Sequence, residues 1–160
     1  MPLGGIITLL VLLPNLLMLV LRPDATPPEA PRKDTMMRLM EMVERVGQAG
    51  SFAIPFFYPL PALRTASVDA LAVMVLALLF YYSGWTRYAV KGHRFVLLYA
   101  PLLGVPLPMA ISPLVYFFAA AIFLRAWPLA LAAALLAVGH LYVSNEEWKR
   151  CKDTLFLQTG

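Results

Sequence analysis

The feature of this sequence that most limits its fold is a series of long apolar segments. The first, residues 3–21, reads LGGIITLLVLLPNLLMLVL and carries no charge. A helix of about 20 apolar residues crosses the hydrocarbon layer of a bilayer. The whole chain is 61% hydrophobic and 14% charged, whereas soluble domains are about 45–50% apolar and about 25% charged. The sequence therefore predicts an integral membrane protein.

Five segments of this kind predict an all-α fold, a polytopic membrane bundle of five transmembrane helices in one domain covering residues 1–160. The predicted spans are residues 3–21, 36–60, 67–85, 109–124 and 128–142. Residues 95–108 are too short to cross the bilayer alone and too apolar for an ordinary loop, so we predict an interfacial or re-entrant segment there. The first span lacks the basic start and the cleavage site of a signal peptide, and we interpret it as a retained helix.

The distribution of lysine and arginine predicts the orientation of the bundle. Residues 22–38, residues 86–94 and the tail after residue 142 carry most of them, whereas the connections on the opposite side carry Arg64 and Arg125. Cytoplasmic loops are enriched in lysine and arginine. We therefore expect a multi-pass protein of the bacterial inner membrane, a cell membrane, with its N-terminus outside and its C-terminus in the cytoplasm. The net charge of +4 then favours contact with the lipid bilayer and not with nucleic acid.

The candidate functional residues are polar side chains inside the predicted spans, where ionisable groups are costly to bury and therefore indicate function. The predicted topology places them at one depth, in the cytoplasmic half of the bilayer, although they come from four segments. These residues are Asn15, Glu41, Glu44, Arg45, Gln48, Tyr81, His140 and Tyr142. Together they predict a ligand-binding or proton-relay site that faces the cytoplasm.

Glu44 is the carboxylate that most needs a partner from another helix. Because residues three and four apart share a helix face, Glu41 can pair with Arg38 or Arg45, whereas Glu44 has no exclusive basic partner in its own helix. A carboxylate inside the bilayer must find a cation, take up a proton or remain hydrated. His140 of the last span can supply that partner, and such a pair can relay protons, bind a cationic solute or act as a general base.

These residues also have purely structural interpretations. Residues 36–46 can lie on the membrane surface with their charges in water, and His140 can simply hydrogen-bond a carbonyl near the lipid headgroups. The segment from Glu146 to Arg150 is typical of the hydrated end of a helix. The pattern of residues leaves both interpretations open.

Proline, glycine and a capping residue predict local features of the helices. Pro14 frees the carbonyl of Leu10, four residues earlier, and should bend the first span there. Asp34 or Thr35 can cap the helix that enters the second span. Glycines within the spans allow helices to approach closely; they are Gly4, Gly5, Gly47, Gly50, Gly84 and Gly139.

Common metal and nucleophile motifs are missing from the sequence. It contains two histidines and one cysteine, whereas a structural zinc site takes four ligands of that kind, so no metal site is predicted. It contains neither a phosphate-binding loop nor a His-Glu-x-x-His helix, and the sequence identifies no cofactor. Cys151 lies between Arg150 and Lys152, and we interpret it as a reduced thiol without a chemical role.

Three short motifs occur in order along the chain: LLPNLL at 12–17, ERVGQAGSF at 44–52 and AVGHLYVS at 137–144. They resemble a group of small bacterial five-helix membrane proteins of unassigned function. That group shares Pro-Asn in the first span, Glu-x-x-Gly-x-x-Gly entering the second and Gly-His-x-Tyr in the last. The resemblance implies that the group's pattern includes Pro14, Asn15, Glu44, Gly47, Gly50, Gly139, His140 and Tyr142.

A second likeness is to integral membrane methyltransferases of the isoprenylcysteine type. The stretch GHRFVLLYAPLLGVP at 92–106, followed by NEEWKR at 145–150, resembles their C-terminal half. Those enzymes carry an Arg-His-Pro-x-Tyr element, and this chain has His93-Arg94-Phe95 in its place. Because that element is missing, the resemblance implies no cofactor pocket.

The sequence favours one function and leaves two others open. The favoured function is binding or transport of a small solute or lipid through a cytoplasm-facing polar pocket. Glu44 and His140 would be its titratable pair, and Asn15, Gln48 and Tyr81 its hydrogen-bonding wall. The alternatives are a membrane-embedded enzyme acting on lipids, with His140 or Glu44 as base, including a methyltransferase, and a subunit of a larger membrane complex. A homo-oligomer is compatible with each.

Overall fold

The computed structural model describes residues 3–23, 34–62 and 67–159, with side chains as far as residue 153. These residues form helices and connections without a β-strand, which confirms the all-α class. The helices are α1 (Gly5–Asn15), α2 (Leu17–Val20), α3 (Thr35–Ala53), α4 (Val68–Val90), α5 (Pro108–Leu124) and α6 (Trp127–Thr159). Short 3-10 turns occupy Ile54–Phe57 and Phe95–Leu98.

Two helices of the described chain are long and apolar enough to cross a membrane, Val68–Val90 and Trp127–Asp153. They contain the third and fifth predicted spans. The segment Gly5–Val20 and helix α5 are apolar but shorter, and they coincide with the first and fourth predicted spans. A count of five transmembrane helices therefore stays a prediction.

The helix ends differ from the predicted spans in three places. Helix α3 ends at Ala53, and a 3-10 turn replaces the predicted continuation to residue 60, because Pro55 has no N–H to extend the α-helix. Helix α4 runs through much of the predicted basic connector to Val90. Helix α6 continues beyond residue 142 to Thr159, so the charged segment after residue 144 extends the last helix.

The long helices form a ring in which each packs on two neighbours. Helix α3 contacts α6, α6 contacts α5, α5 contacts α4, α4 contacts α1, and α1 contacts α3. One cluster of buried apolar side chains joins the ring and includes Val11, Tyr88, Phe117 and Leu129. The helices therefore surround a common interior to which every long helix contributes.

The crossing of α3 and α6 depends on glycine, as predicted. A Cβ atom on Gly47 would collide with the backbone of Leu136, and a Cβ on Gly139 would lie 2.7 Å from the Cα of Glu44. Further along, a Cβ on Gly50 would lie 2.8 Å from the Cβ of Ala132. Because positions 44, 47 and 50 meet positions 139, 136 and 132 in turn, the two helices are antiparallel and nearly in backbone contact.

The free carbonyl predicted at Leu10 is confirmed, whereas the bend at Pro14 stays a prediction. Helix α1 ends at Asn15, and Leu16 separates it from α2. The hydroxyl of Tyr82 donates a 2.7 Å hydrogen bond to the carbonyl of Leu10, the group that Pro14 deprives of its helical donor. The cap at Asp34 is confirmed as well, since its side chain accepts from the N–H of Met37 at 2.7 Å.

Tyrosine hydroxyls attach the first segment to the rest of the ring. Besides Tyr82, Tyr116 of α5 donates to the carbonyl of Ile7 at 3.0 Å, and Tyr88 of α4 donates to that of Leu21 at 2.8 Å. Main-chain carbonyls keep a second lone pair after helix formation, so they can accept these additional bonds. The first segment is therefore held along its whole length.

We expect Gly47→Ala to destabilise the protein. Overpacking at a rigid backbone costs about 1–3 kcal/mol, and the helix propensity of alanine returns about 1 kcal/mol, so the free energy of unfolding should fall. Thermal unfolding in detergent would measure the change. Gly84→Ala is the matched control, because its Cβ would meet only side-chain atoms of Met109, which can rotate away. Equal melting temperatures for the two variants would contradict the role assigned to Gly47.

Candidate functional site

The helical ring surrounds a cavity of about 390 Å³ to which all six helices and the 91–107 connection contribute. Its polar lining comprises Asn15, Gln48, Tyr81, Trp85, Tyr99, His140 and Ser144. Its apolar lining comprises Val11, Leu12, Met18, Phe52, Leu98, Met109, Ala110, Pro113, Phe117 and Leu136. Ligand sites in proteins have this composition, a mostly apolar wall with a few polar groups, and volumes of about 300–1,000 Å³.

The structure brings half of the predicted site residues to this cavity. Asn15, Gln48, Tyr81 and His140 line it. Glu44 does not line it but contacts His140. The three other predicted residues lie outside the lining: Glu41, Arg45 and Tyr142. The side chain of Arg45 is exposed, and those of Glu41 and Tyr142 are partly buried.

Glu44 and His140 form the central polar contact beside the cavity. The Oε1 of Glu44 lies 2.6 Å from the Nδ1 of His140, and the two side chains are 20% and 29% exposed. Gly139 makes this distance possible, since its missing side chain lets the backbone of α6 reach Glu44. Because Nδ1 is engaged, the other ring nitrogen, Nε2, is the one left for a ligand. A carboxylate that holds an imidazole in this way fixes the orientation of the ring.

The side chains of Asn15 and Tyr81 form a hydrogen bond with each other in the cavity wall. The Tyr81 hydroxyl donates a 2.7 Å hydrogen bond to the Oδ1 of Asn15, whose Nδ2 donates to the carbonyl of Val11 at 3.3 Å. Asn15 is therefore held at the end of α1, and the hydrogen of the Tyr81 hydroxyl is already used. This pair shapes the wall and leaves few free donors of its own.

Three polar lining residues were not predicted. Trp85 follows Tyr81 by four positions and Ser144 follows His140 by four, so both share a helix face with a predicted residue. Extending the helical spacing from Tyr81 and His140 would have found them. The indole Nε1 of Trp85 makes no hydrogen bond of normal geometry to the described residues. The ring of Tyr81 lies beside it, with centroids 6.3 Å apart and the ring planes at 89°.

Tyr99 reaches the cavity because Arg87 folds the 91–107 connection against α4. The Arg87 guanidinium donates to the carbonyls of Leu97, Ala100 and Pro101 at 2.7, 2.8 and 2.7 Å. Burial raises the pKa of the Tyr99 hydroxyl above its ordinary value, so this group remains a protonated donor at neutral pH. In the sequence, Arg87 is one of the basic residues that predict the orientation of the bundle. No sequence pattern indicates its contact with these carbonyls.

The end of α6 carries ion pairs along its own surface. Lys149 pairs with Glu146 and Arg150 with Glu147, each at 2.6 Å and three residues apart. Cys151 is buried. Within the described part of the chain, no group of three His, Cys, Asp or Glu side chains is arranged to hold a metal ion.

Comparison with known proteins finds no matching family model, no matching curated protein and no matching solved structure. The geometry of the cavity therefore carries the functional argument.

We expect a double-mutant cycle of Glu44→Ala and His140→Ala to show coupling of about 1 kcal/mol in the free energy of unfolding, as charge-assisted hydrogen bonds in partly buried positions do. Unfolding of the two single variants and the double variant in detergent would measure it. The control is the Glu146–Lys149 pair, which has the same 2.6 Å separation but lies on an exposed surface, where coupling is small. Coupling no larger than that of the control pair would show that the Glu44–His140 contact adds nothing.

Proposed function

We propose that this chain is a five-helix integral membrane protein that binds, and transports, a small solute or lipid in the cavity between its helices. The observation that carries the proposal is the cavity lined by Asn15, Gln48, Tyr81 and His140 inside a ring whose helices α1, α4, α5 and α6 have apolar outer surfaces. The paired Glu44 and His140 form its titratable group, and the other polar residues form its hydrogen-bonding wall.

The outer surface of the ring supports placement in a bilayer. Large apolar side chains are exposed on α1, α4, α5 and α6, among them Leu13, Leu76, Ile122 and Val138. Soluble monomers rarely expose apolar patches of more than a few hundred Å². Lipid tails would cover this surface, and the polar groups would then be kept in the interior of the bundle, where membrane proteins place them.

The charges support a cytoplasmic position for the polar half of the cavity. Tyr81 and Trp85 lie towards the end of α4, close in sequence to Arg87, Lys91 and Arg94. His140 and Ser144 precede the charged end of α6 in the same way. By the positive-inside rule these ends face the cytoplasm, which agrees with an antiparallel α3 that enters from the same side.

A membrane enzyme acting on lipids is the second candidate, favoured by one observation. Glu44 holds the Nδ1 of His140, and an imidazole oriented by a carboxylate is a common general base. Turnover of a labelled lipid by the purified protein, lost in His140→Ala, would favour this candidate over simple binding.

We expect intact cells to distinguish the two sides of the bundle. In a Cys151→Ser background, Trp127→Cys at the start of α6 should react with a membrane-impermeant maleimide added outside. Lys91→Cys, after the end of α4, should react only after the cells are permeabilised. The two positions are exposed, so access through the membrane decides the result. Reversed labelling would overturn the orientation, and labelling of both in intact cells would overturn the membrane placement.

We expect the gently purified protein to carry a small molecule or lipid that native mass spectrometry detects. Glu44→Ala and His140→Ala should lose it while keeping the elution profile of the folded protein. Tyr81→Phe and Tyr82→Phe form a matched pair, since each removes one hydroxyl that bonds to α1, but only Tyr81 lines the cavity. Equal ligand occupancy in all four variants would argue against binding in this cavity.

A further inference from the structure

We infer that the cavity selects an uncharged, lipid-like ligand whose head carries a hydrogen-bonding oxygen atom. This inference rests on the proposed function and narrows the class of its ligand. Three properties of the lining carry it: its lack of charge, the polar atoms that it leaves available and the apolar surface around them.

The first property is the absence of a charged partner. No lysine, arginine, aspartate or glutamate lines the cavity within the described residues. The carboxylate of Glu44, which contacts the lining residue His140, is paired with that imidazole. A phosphate or an ammonium head would therefore be buried without an opposite charge, and burial of an unpaired ion is strongly unfavourable. An uncharged head avoids that cost.

The second property is the set of polar atoms that remain after internal hydrogen bonds are made. The Tyr81 hydroxyl donates to Asn15, and the Nδ1 of His140 contacts Glu44. Trp85 keeps an indole N–H without an acceptor although the residue is only 4% exposed. The hydroxyl of the neighbouring Tyr81 donates to Asn15 and does not meet hydrogen-bond geometry as an acceptor for this N–H. A buried donor of this kind favours a ligand that brings an oxygen acceptor.

The other available polar atoms are also neutral. Gln48 and Ser144 line the cavity and make no hydrogen bond to the described residues, and the Nε2 of His140 is the free nitrogen of its ring. An amide, a hydroxyl and an imidazole nitrogen can each exchange one hydrogen bond with an alcohol or a carbonyl group. A single oxygen-bearing head can thus use donors and acceptors from α3, α4 and α6.

The third property is the apolar surface that forms most of the wall. Phe52 and Phe117 lie against each other with ring centroids 5.9 Å apart, and Met109 and Leu136 extend the same wall. A small polar solute would leave this surface uncovered, whereas an alkyl or isoprenoid chain would cover it. The cavity of about 390 Å³ holds a head and the beginning of such a chain.

Three brominated probes with one tail would test the inference. They are undecyl chains with a bromine on the second carbon, next to the head, and an alcohol, a phosphate or a trimethylammonium head. The full-length protein in lipid nanodiscs would carry Trp127→Phe and Trp148→Phe, which leaves Trp85 as the fluorophore that bromine quenches on contact. A second protein with Trp85→Phe and Trp148→Phe keeps Trp127, which is 72% exposed and reports partition into the bilayer.

We expect the alcohol to quench Trp85 saturably, at a concentration about tenfold below that of either charged probe. All three should quench Trp127 without saturation. Gln48→Leu should weaken the alcohol's effect on Trp85, and because Gln48 makes no hydrogen bond to the described residues, the fold should survive. Saturable quenching of Trp85 by a charged probe at an equal or lower concentration would overturn the inference while leaving the cavity a binding site. Quenching of Trp127 without saturable quenching of Trp85 by any probe would overturn the proposed function as well.

Discussion

The close crossing of α3 and α6 is the constraint on which the candidate site depends. Gly47 and Gly139 leave no room for a side chain, so the two backbones come together at one height and in one register. That register sets Glu44 beside His140 and places Gln48 and Leu136 in the wall of the cavity. A separation wider by one methyl group would lengthen the 2.6 Å contact beyond hydrogen-bond distance. Small residues at a helix crossing therefore determine polar geometry as well as packing.

The first segment is held in a different way. Helix α1 shows mostly apolar residues to the outside, and much of its attachment consists of hydroxyl groups from α4 and α5 that bond to its carbonyls. Pro14 frees one of these acceptors, the carbonyl of Leu10. Asn15 follows it at the end of the helix and accepts the hydrogen bond of Tyr81.

Much of the site could be predicted from the sequence, because helical spacing and depth in the predicted spans decide which residues come together. Glu44 and His140 were paired because Glu44 lacks an exclusive local partner and because the topology places both at one depth, and the glycines of the spans predicted close helix approach without naming the pair. Tyr99 could not be predicted in the same way. Tyr99 depends on three carbonyls bound by Arg87, a contact between a side chain and an irregular backbone that leaves no periodic pattern.

The helix ends were predicted less well, for physical reasons that differ between helices. Pro55 forces a 3-10 turn where hydropathy continues, so the apolar run is longer than α3. In α6 the opposite holds, because residues beyond 144 are polar but favour a helix through pairs such as Glu147 with Arg150. Hydropathy reports burial in lipid, whereas helix length follows from backbone hydrogen bonds, and the two need not end together.

Because α6 is long, a small change of its angle at the crossing with α3 moves its end by a much larger distance. The helix has 33 residues and is about 50 Å long, whereas the hydrocarbon layer is about 30 Å thick. From Gly139 to Thr159 it rises about 30 Å, so a tilt of about 5° at the crossing displaces its far end by roughly 3 Å. His140 lies next to the crossing, which is the pivot of this movement. A small tilt of α6 therefore moves its distant tip by about 3 Å and leaves the Glu44–His140 contact, at the pivot, almost unchanged.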